Sequence, residues 1–178
     1  DTRRRQYYLH NFLKEQPDWN FHNSAVQKYH LDCMKFWLER GVDGFRLDTV
    51  NYYFHDKHLR DNPPNPDPNA KNAVRPFEMQ HMIYSKNQPE NIKFLERMRS
   101  LLDKYDARTM VGEVGDMHQS IELMAQYTTK KRLHMAYSFD MLGPDFSPSR
   151  FREPIENFFS KAPNGWPCWA FSNHDVPR

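Results

Sequence analysis

Helical and strand-like patterns of apolar residues alternate along this chain of 178 residues. Such alternation is typical of a parallel sheet whose strands are joined by crossover helices. No glycine-rich phosphate loop follows any predicted strand, which disfavours a nucleotide-binding doubly wound sheet. The predicted strands are residues 42–48, 109–113, 134–139 and 167–172; the predicted helices are residues 24–40, a segment that opens at Asn87 and Pro89, 118–127 and 149–161.

The first predicted helix has recognisable ends. Asn23 is expected to cap its N-terminus, and Gly41 is expected to follow its C-terminus in a left-handed conformation. The apolar residues that recur at helical spacing are Val26, Tyr29, Cys33, Phe36 and Trp37.

Acidic residues stand at the ends of three predicted strands, namely Asp48, Glu113 and Asp175. Any one of them alone is more often a capping or surface residue. Together they indicate an enzyme, because the loops that follow the strands of an α/β barrel converge on one face. Arg46 lies two residues before Asp48 on the same strand face, and its guanidinium favours the ionised carboxylate.

Four segments of the chain resemble conserved regions of the α-amylase family of retaining glycoside hydrolases. GVDGFRLDTV, VGEVGD and FSNHD resemble the second, third and fourth regions, and they occur in the family's order. QPDWN at residues 16–20 resembles the fifth region in the QPDLN form, which is typical of the oligo-1,6-glucosidase and α-glucosidase branch.

The resemblance implies a role for each site residue. Asp48 would be the nucleophile, Glu113 the general acid/base, and Asp175 would stabilise the transition state through sugar hydroxyls. Arg46 would orient Asp48, and His174 would hydrogen-bond the same sugar. The remaining substrate-binding positions are Arg178, expected near the glucose pocket, and Thr49, which replaces the branch's usual Val or Ala and leaves the linkage preference open.

The resemblance also implies the fold, part of a (β/α)8 TIM barrel comprising about strands 4 to 7 with their helices. Residues 1–22 would end an inserted small domain B, and residues 23–178 would form the partial catalytic barrel. The family's first region and the eighth strand are absent from this sequence. We therefore expect a fragment of a larger enzyme, inactive by itself.

Composition limits the kinds of molecule that this chain is expected to bind and where it is expected to occur. The net charge of +2 argues against nucleic acid or another polyanionic partner, and no apolar run is long enough to cross a membrane. Cys33 and Cys168 are predicted to be thiols rather than a disulfide, which favours a reducing, cytoplasmic location. A polar cluster at residues 55–61 lacks a second ligand group, so neither a metal nor another cofactor is expected within the chain; a structural calcium site would lie outside it.

The sequence thus predicts a retaining α-glucosidase that hydrolyses short α-glucosides of the maltose or isomaltose type. A transglucosidase or sucrose-active relative would share the same active residues, so the motifs leave that alternative open. A non-catalytic member of the fold, like the transporter-associated heavy chains, is a third alternative. The presence of all three acids argues against it.

Overall fold

The computed structural model describes residues 1–74, 76–116, 118–143 and 145–176. The chain divides into two compact units, Asp1–Lys28 with Asn51–Asn91, and Tyr29–Val50 with the chain from Ile92 onward. In the described part, the α-helices are α1 (Ser24–Leu38), α2 (Glu90–Leu102), α3 (Ser120–Thr128) and α4 (Pro148–Lys161), and the strands are β1 (Gly44–Leu47), β2 (Thr109–Val114) and β3 (Met135–Ser138).

The three strands form one parallel sheet in the order β1-β2-β3. Helices α2 and α3 lie in the connections between successive strands, which confirms the predicted strand–helix alternation. This is the repeating unit of a (β/α)8 barrel. The assignment of these strands as the fourth to sixth of such a barrel stays a prediction, as does the predicted domain boundary after residue 22.

Apolar side chains from the sheet and its helices form the core of the second unit. Leu95, Met98 and Leu102 of α2 are buried, as their helical spacing predicts. Helix α3 packs against β3 and α4. A Cβ atom added at Gly112 in β2 would lie 2.5 Å from Leu133 Cδ1, so the Leu133 side chain packs directly against the backbone of β2.

Helix α1 has the predicted ends but not the predicted buried face. The backbone N–H of Ala25 donates to Asn23 Oδ1 at 2.9 Å, and Gly41 adopts a φ of 87°. The recurring apolar residues, however, do not mark the core. Met34 and Leu38 are the buried residues of α1, whereas Tyr29, Phe36 and Trp37 are exposed.

The prediction of a fourth strand at residues 167–172 is wrong for this structure. Only one parallel bridge forms, between Ala136 and Pro167, where the Cys168 N–H donates to the Ala136 carbonyl at 3.0 Å. Beyond that bridge the segment makes no further ladder with β3 in the described residues. A strand-like apolar segment becomes a strand only where a partner supplies a continuous row of hydrogen bonds.

The first unit is organised by a long loop. The proline-rich residues 61–68 form neither helix nor strand, because proline cannot continue a helix or pair within a central strand, and two short 3-10 helices follow at Ala70–Asn72 and Pro76–Met79. Phe21 stacks on the ring of Tyr53 at a centroid distance of 5.1 Å and contacts Phe54 at 5.8 Å. Aromatic packing therefore supplies much of this unit's core.

Cys33 and Cys168 are both free thiols, as predicted, and each is half-buried. Burial raises the pKa of the Cys168 thiol. Among the helices that the structure describes, none combines the length and the apolar character needed to cross a bilayer.

Candidate active site

Strand β1 carries Arg46 and leads directly into Asp48. The two residues are two positions apart, so both side chains lie on the same side of the strand, as the sequence predicts. An Nη1 hydrogen of Arg46 donates to Asp48 Oδ1, forming an ion pair at the carboxyl end of the strand. The Asp48 side chain remains largely exposed, which leaves its second oxygen accessible to a ligand.

Glu113 lies near the end of β2 and is only 3% exposed. Its Oε1 is 2.5 Å from Arg46 Nη2, and its Oε2 accepts a hydrogen bond of 3.2 Å from the Thr49 backbone N–H. One guanidinium therefore binds both acids, with Nη1 on Asp48 and Nη2 on Glu113. A buried carboxylate needs such partners, because an uncompensated charge in the interior is strongly destabilising.

Tyr137 completes this cluster, and sequence reasoning missed it. Its hydroxyl donates to Glu113 Oε1 at 2.8 Å and accepts from Arg46 Nε at 3.2 Å and Nη2 at 3.0 Å. Glu113 and Tyr137 are register partners in the parallel pairing of β2 with β3. Only the register shows this proximity, because Tyr137 resembles an ordinary core tyrosine within the run AYSF. Its placement in the strand that follows Glu113 was the one available signal.

The backbone of Thr49 is part of this site, because its N–H donates to Glu113. Its φ is 38°, in the left-handed region that β-branched residues rarely adopt. This turn directs the Thr49 N–H toward Glu113 instead of continuing β1. A non-glycine residue held in that region costs about 1–3 kcal/mol, and the surrounding hydrogen bonds must supply the compensation.

The charges of the cluster stabilise one another. Burial acts to lower the pKa of Arg46, but the hydrogen bonds to Tyr137 and Asp48 and the charge of Glu113 outweigh it, so that the pKa is raised. Burial raises the pKa of Tyr137; the Glu113 carboxylate adds to this shift, and the hydrogen bond from Arg46 opposes it. Arg46 is thus a permanent cation and Tyr137 a neutral phenol at neutral pH.

His174 and Asp175 contact each other and Asn173 in the structure. His174 Nε2 is 3.6 Å from Asp175 Oδ2, and the Asp175 N–H donates to Asn173 Oδ1 at 2.9 Å. In the residues that the structure describes, no hydrogen bond or ion pair links either side chain to Arg46, Asp48 or Glu113. Arg178, the last predicted substrate-binding residue, lies outside the described residues.

The polar loop cluster is built around an ion pair. Asp56 is buried and accepts hydrogen bonds from the His58 N–H and from Arg60, whose Nη2 is 2.6 Å from Asp56 Oδ1. Arg60 also lies over the ring of Tyr84 at 4.1 Å. Within the described residues, no group of three His, Cys, Asp or Glu side chains is arranged to hold a metal ion.

Comparison with known proteins gives a consistent family. The sequence model described as "Alpha amylase, catalytic domain" matches residues 1–178. A probable alpha-glucosidase of Rhizobium meliloti (strain 1021) is 52% identical over 185 residues, which cover 100% of this chain and 33% of that protein. The oligo-1,6-glucosidase of Parageobacillus thermoglucosidasius is 30% identical over 192 residues, which cover 97% of this chain and 32% of that protein.

Among solved structures, the alpha-glucosyl transfer enzyme XgtA superposes with a TM-score of 0.87 at 48% identity, covering 96% of this chain and 32% of that chain. This chain therefore spans about a third of the length of the relatives it matches. With the family model matching along its whole length and a relative that is more than half identical to it, the chain belongs to the α-amylase family.

Proposed function

We propose that a full-length protein carrying this chain is a retaining α-glucosidase that hydrolyses short α-glucosides through a covalent glucosyl-enzyme. The observation that carries the proposal is the Arg46 guanidinium, which binds Asp48 with one terminal nitrogen and Glu113 with the other. Two carboxylates that share one guanidinium lie close together. Retaining glycosidases have closely spaced carboxyl groups, about 5–5.5 Å apart, whereas inverting enzymes need room for a water molecule between them.

In the first half of the reaction, protonated Glu113 gives its proton to the glycosidic oxygen, and Asp48 attacks the anomeric carbon. The bond to the leaving sugar breaks as the ester bond to Asp48 forms. The exposure of Asp48 suits the nucleophile, which must reach the substrate. The burial of Glu113 suits the acid, which must be held in one orientation.

In the second half, Glu113 takes a proton from water as that water attacks the same carbon. The ester bond to Asp48 breaks, and glucose leaves with the α configuration retained. Asp175 is proposed to bind the sugar 2- and 3-hydroxyls, His174 to bind the same sugar and Arg178 to border its pocket, roles that rest on the sequence motif FSNHDVPR alone. No cofactor is proposed, and the proposed partner is a small oligosaccharide or other α-glucoside.

The test is hydrolysis of maltose and isomaltose by the full-length protein, with the first-formed anomer of glucose identified by proton NMR. We expect α-glucose first. Asp48→Asn should lower turnover about a thousandfold, equivalent to about 4 kcal/mol of transition-state stabilisation. Glu113→Gln should lower kcat/KM, which reports the first half of the reaction, far more on maltose than on 4-nitrophenyl α-glucoside, because a nitrophenol leaves without protonation.

The chain offers a matched control for Asp48→Asn. Asp43 precedes β1, at the end of the strand opposite Asp48, and pairs with Arg108 at 2.9 Å, just as Asp48 pairs with Arg46. Asp43→Asn removes the same charge and should leave turnover near the parental value. First release of β-glucose would refute the retaining mechanism, and near-parental turnover in Asp48→Asn would refute the nucleophile.

A second function, transfer of the glucosyl group to another sugar, has one observation in its favour. XgtA, an alpha-glucosyl transfer enzyme, is 48% identical to this chain over nearly all of its length. In that reaction a sugar hydroxyl replaces water in the second half, and the same two acids act. Measuring the ratio of glucose released to nitrophenol released, with and without an acceptor sugar, distinguishes transfer from hydrolysis.

A further inference from the structure

Tyr137 lies where the two proposed catalytic acids and their common cation meet. It is 9% exposed, and its register pairing with Glu113 places both side chains on one face of the sheet. Its hydroxyl is within hydrogen-bonding distance of two Arg46 nitrogens and one Glu113 oxygen. The phenol oxygen therefore connects the cation to the acid directly.

The direction of these hydrogen bonds follows from chemistry alone. A guanidinium has only donors, so the Tyr137 oxygen must accept from Arg46. The single phenol proton is then available to Glu113, whose Oε1 accepts it at 2.8 Å. Hydrogen bonds are thus donated from Arg46 to Tyr137 and from Tyr137 to Glu113. Donation cannot run in the opposite direction, because Arg46 has no acceptor atom.

This arrangement makes the two oxygens of Glu113 unequal. Oε1 faces both Arg46 Nη2 at 2.5 Å and the Tyr137 hydroxyl, and it is fully occupied as an acceptor. Oε2 accepts only the longer hydrogen bond from the Thr49 N–H at 3.2 Å, so it keeps a lone pair for a proton. In a protonated Glu113 the proton consequently resides on Oε2.

We propose that Tyr137 is a positioning residue whose hydroxyl holds Glu113 Oε1, so that the catalytic proton is carried and delivered by Oε2 alone. The inference rests on the proposed function, since it assumes that Glu113 is the general acid. Without the hydroxyl, the carboxyl group has one fixed partner fewer and can rotate away from the glycosidic oxygen. Removing the hydroxyl should then lower the rate only for substrates whose leaving group needs the proton.

The test is Tyr137→Phe in the full-length protein, assayed on maltose and on 4-nitrophenyl α-glucoside. Phe keeps every carbon atom of the ring and removes only the hydroxyl. We expect kcat/KM on maltose to fall about tenfold, the size of one hydrogen bond to a charged group, and kcat/KM on the nitrophenyl substrate to fall less than about threefold. KM for both should stay within about twofold, because the hydroxyl contacts the acid and not the sugar.

Two comparisons make the result specific. Tyr105→Phe removes a hydroxyl that lies beyond the C-terminal end of α2. That hydroxyl makes no hydrogen bond in the described residues, so the variant should leave the rates on both substrates unchanged. In a Glu113→Gln background, Tyr137→Phe should lower maltose turnover no further, because the two changes act on one proton.

The ratio of the rates on the two substrates, measured on one preparation, does not depend on the fraction of protein that is folded. Partial unfolding therefore cannot imitate the expected result. Equal losses on both substrates, no loss on maltose, or a variant that fails to fold would each overturn the positioning role. If the parental protein hydrolyses neither substrate, the proposed function itself fails and this inference falls with it.

Discussion

Gly44 begins β1 at a point where the neighbouring strand leaves no room for a side chain. A Cβ atom added there would lie under 3.0 Å from the carbonyl oxygen of Thr109 and 3.1 Å from its carbonyl carbon, both backbone atoms of its register partner. An ordinary carbon–oxygen contact is about 3.3 Å or more, so Gly44→Ala would require a backbone shift of about 1 Å. Unlike a side chain, the Thr109 carbonyl cannot rotate aside.

The cost of that shift can be estimated. Moving the strands apart weakens the hydrogen bond of 3.1 Å from the Thr109 N–H to the Asp43 carbonyl, worth about 1 kcal/mol. Overpacking adds about 1–3 kcal/mol. Alanine recovers about 0.5–1 kcal/mol, because it loses less conformational entropy in a strand than glycine. The net destabilisation is about 2 kcal/mol.

Hydrogen–deuterium exchange of the full-length protein measures this loss of stability separately for each strand. A loss of about 2 kcal/mol should accelerate exchange in peptides that cover β1 and the start of β2 about thirtyfold. Gly41→Ala is the control, because a Cβ there meets nothing within 4 Å and only the φ of 87° opposes it. That variant should leave exchange in β2 unchanged. Equal protection of β1 and β2 in the parental protein and Gly44→Ala would refute the close approach.

Two further predictions concern specificity and pH. Thr49→Ala and Thr49→Val should change the ratio of maltose to isomaltose cleavage more than the melting temperature, because both keep the backbone N–H that donates to Glu113; an unchanged ratio in both variants would remove Thr49 from the specificity argument. The hydrogen bonds from Arg60 hold the pKa of the Asp56 carboxyl below its ordinary value of about 3.9, so the pair contributes its full stability above that pH and loses it as the pH falls further. Arg60→Met should therefore reduce the drop in melting temperature between pH 5 and pH 2, and an unreduced drop would show that other carboxylates dominate the acid sensitivity.

The sequence predicts those features of the fold that depend only on residues close together in the chain. The cap at Asn23, the left-handed Gly41 and the beginning of α2 just after Pro89 depend on a few neighbouring residues, and the structure confirms them. The pairing of Arg46 with Asp48 is equally local, because residues two apart in a strand share a face.

Features that depend on distant partners could not be read in the same way. Residues 167–172 have a strand-like composition, yet they form a single bridge, because a strand exists only where a partner supplies the hydrogen bonds. The apolar residues of α1 have helical spacing, but spacing does not say which elements cover them. Tyr29, Phe36 and Trp37 accordingly remain exposed.

The sequence by itself determined the family and the order of the four helices and the first three strands, and it singled out Asp48, Glu113 and their neighbour Arg46, since each of these rests on motifs or on short-range spacing. Only the tertiary structure decided that one guanidinium joins both acids and that Tyr137 reaches them. Those contacts depend on the register of three strands that are far apart in the chain, and a shift of one residue in either pairing would turn the side chains to the opposite face.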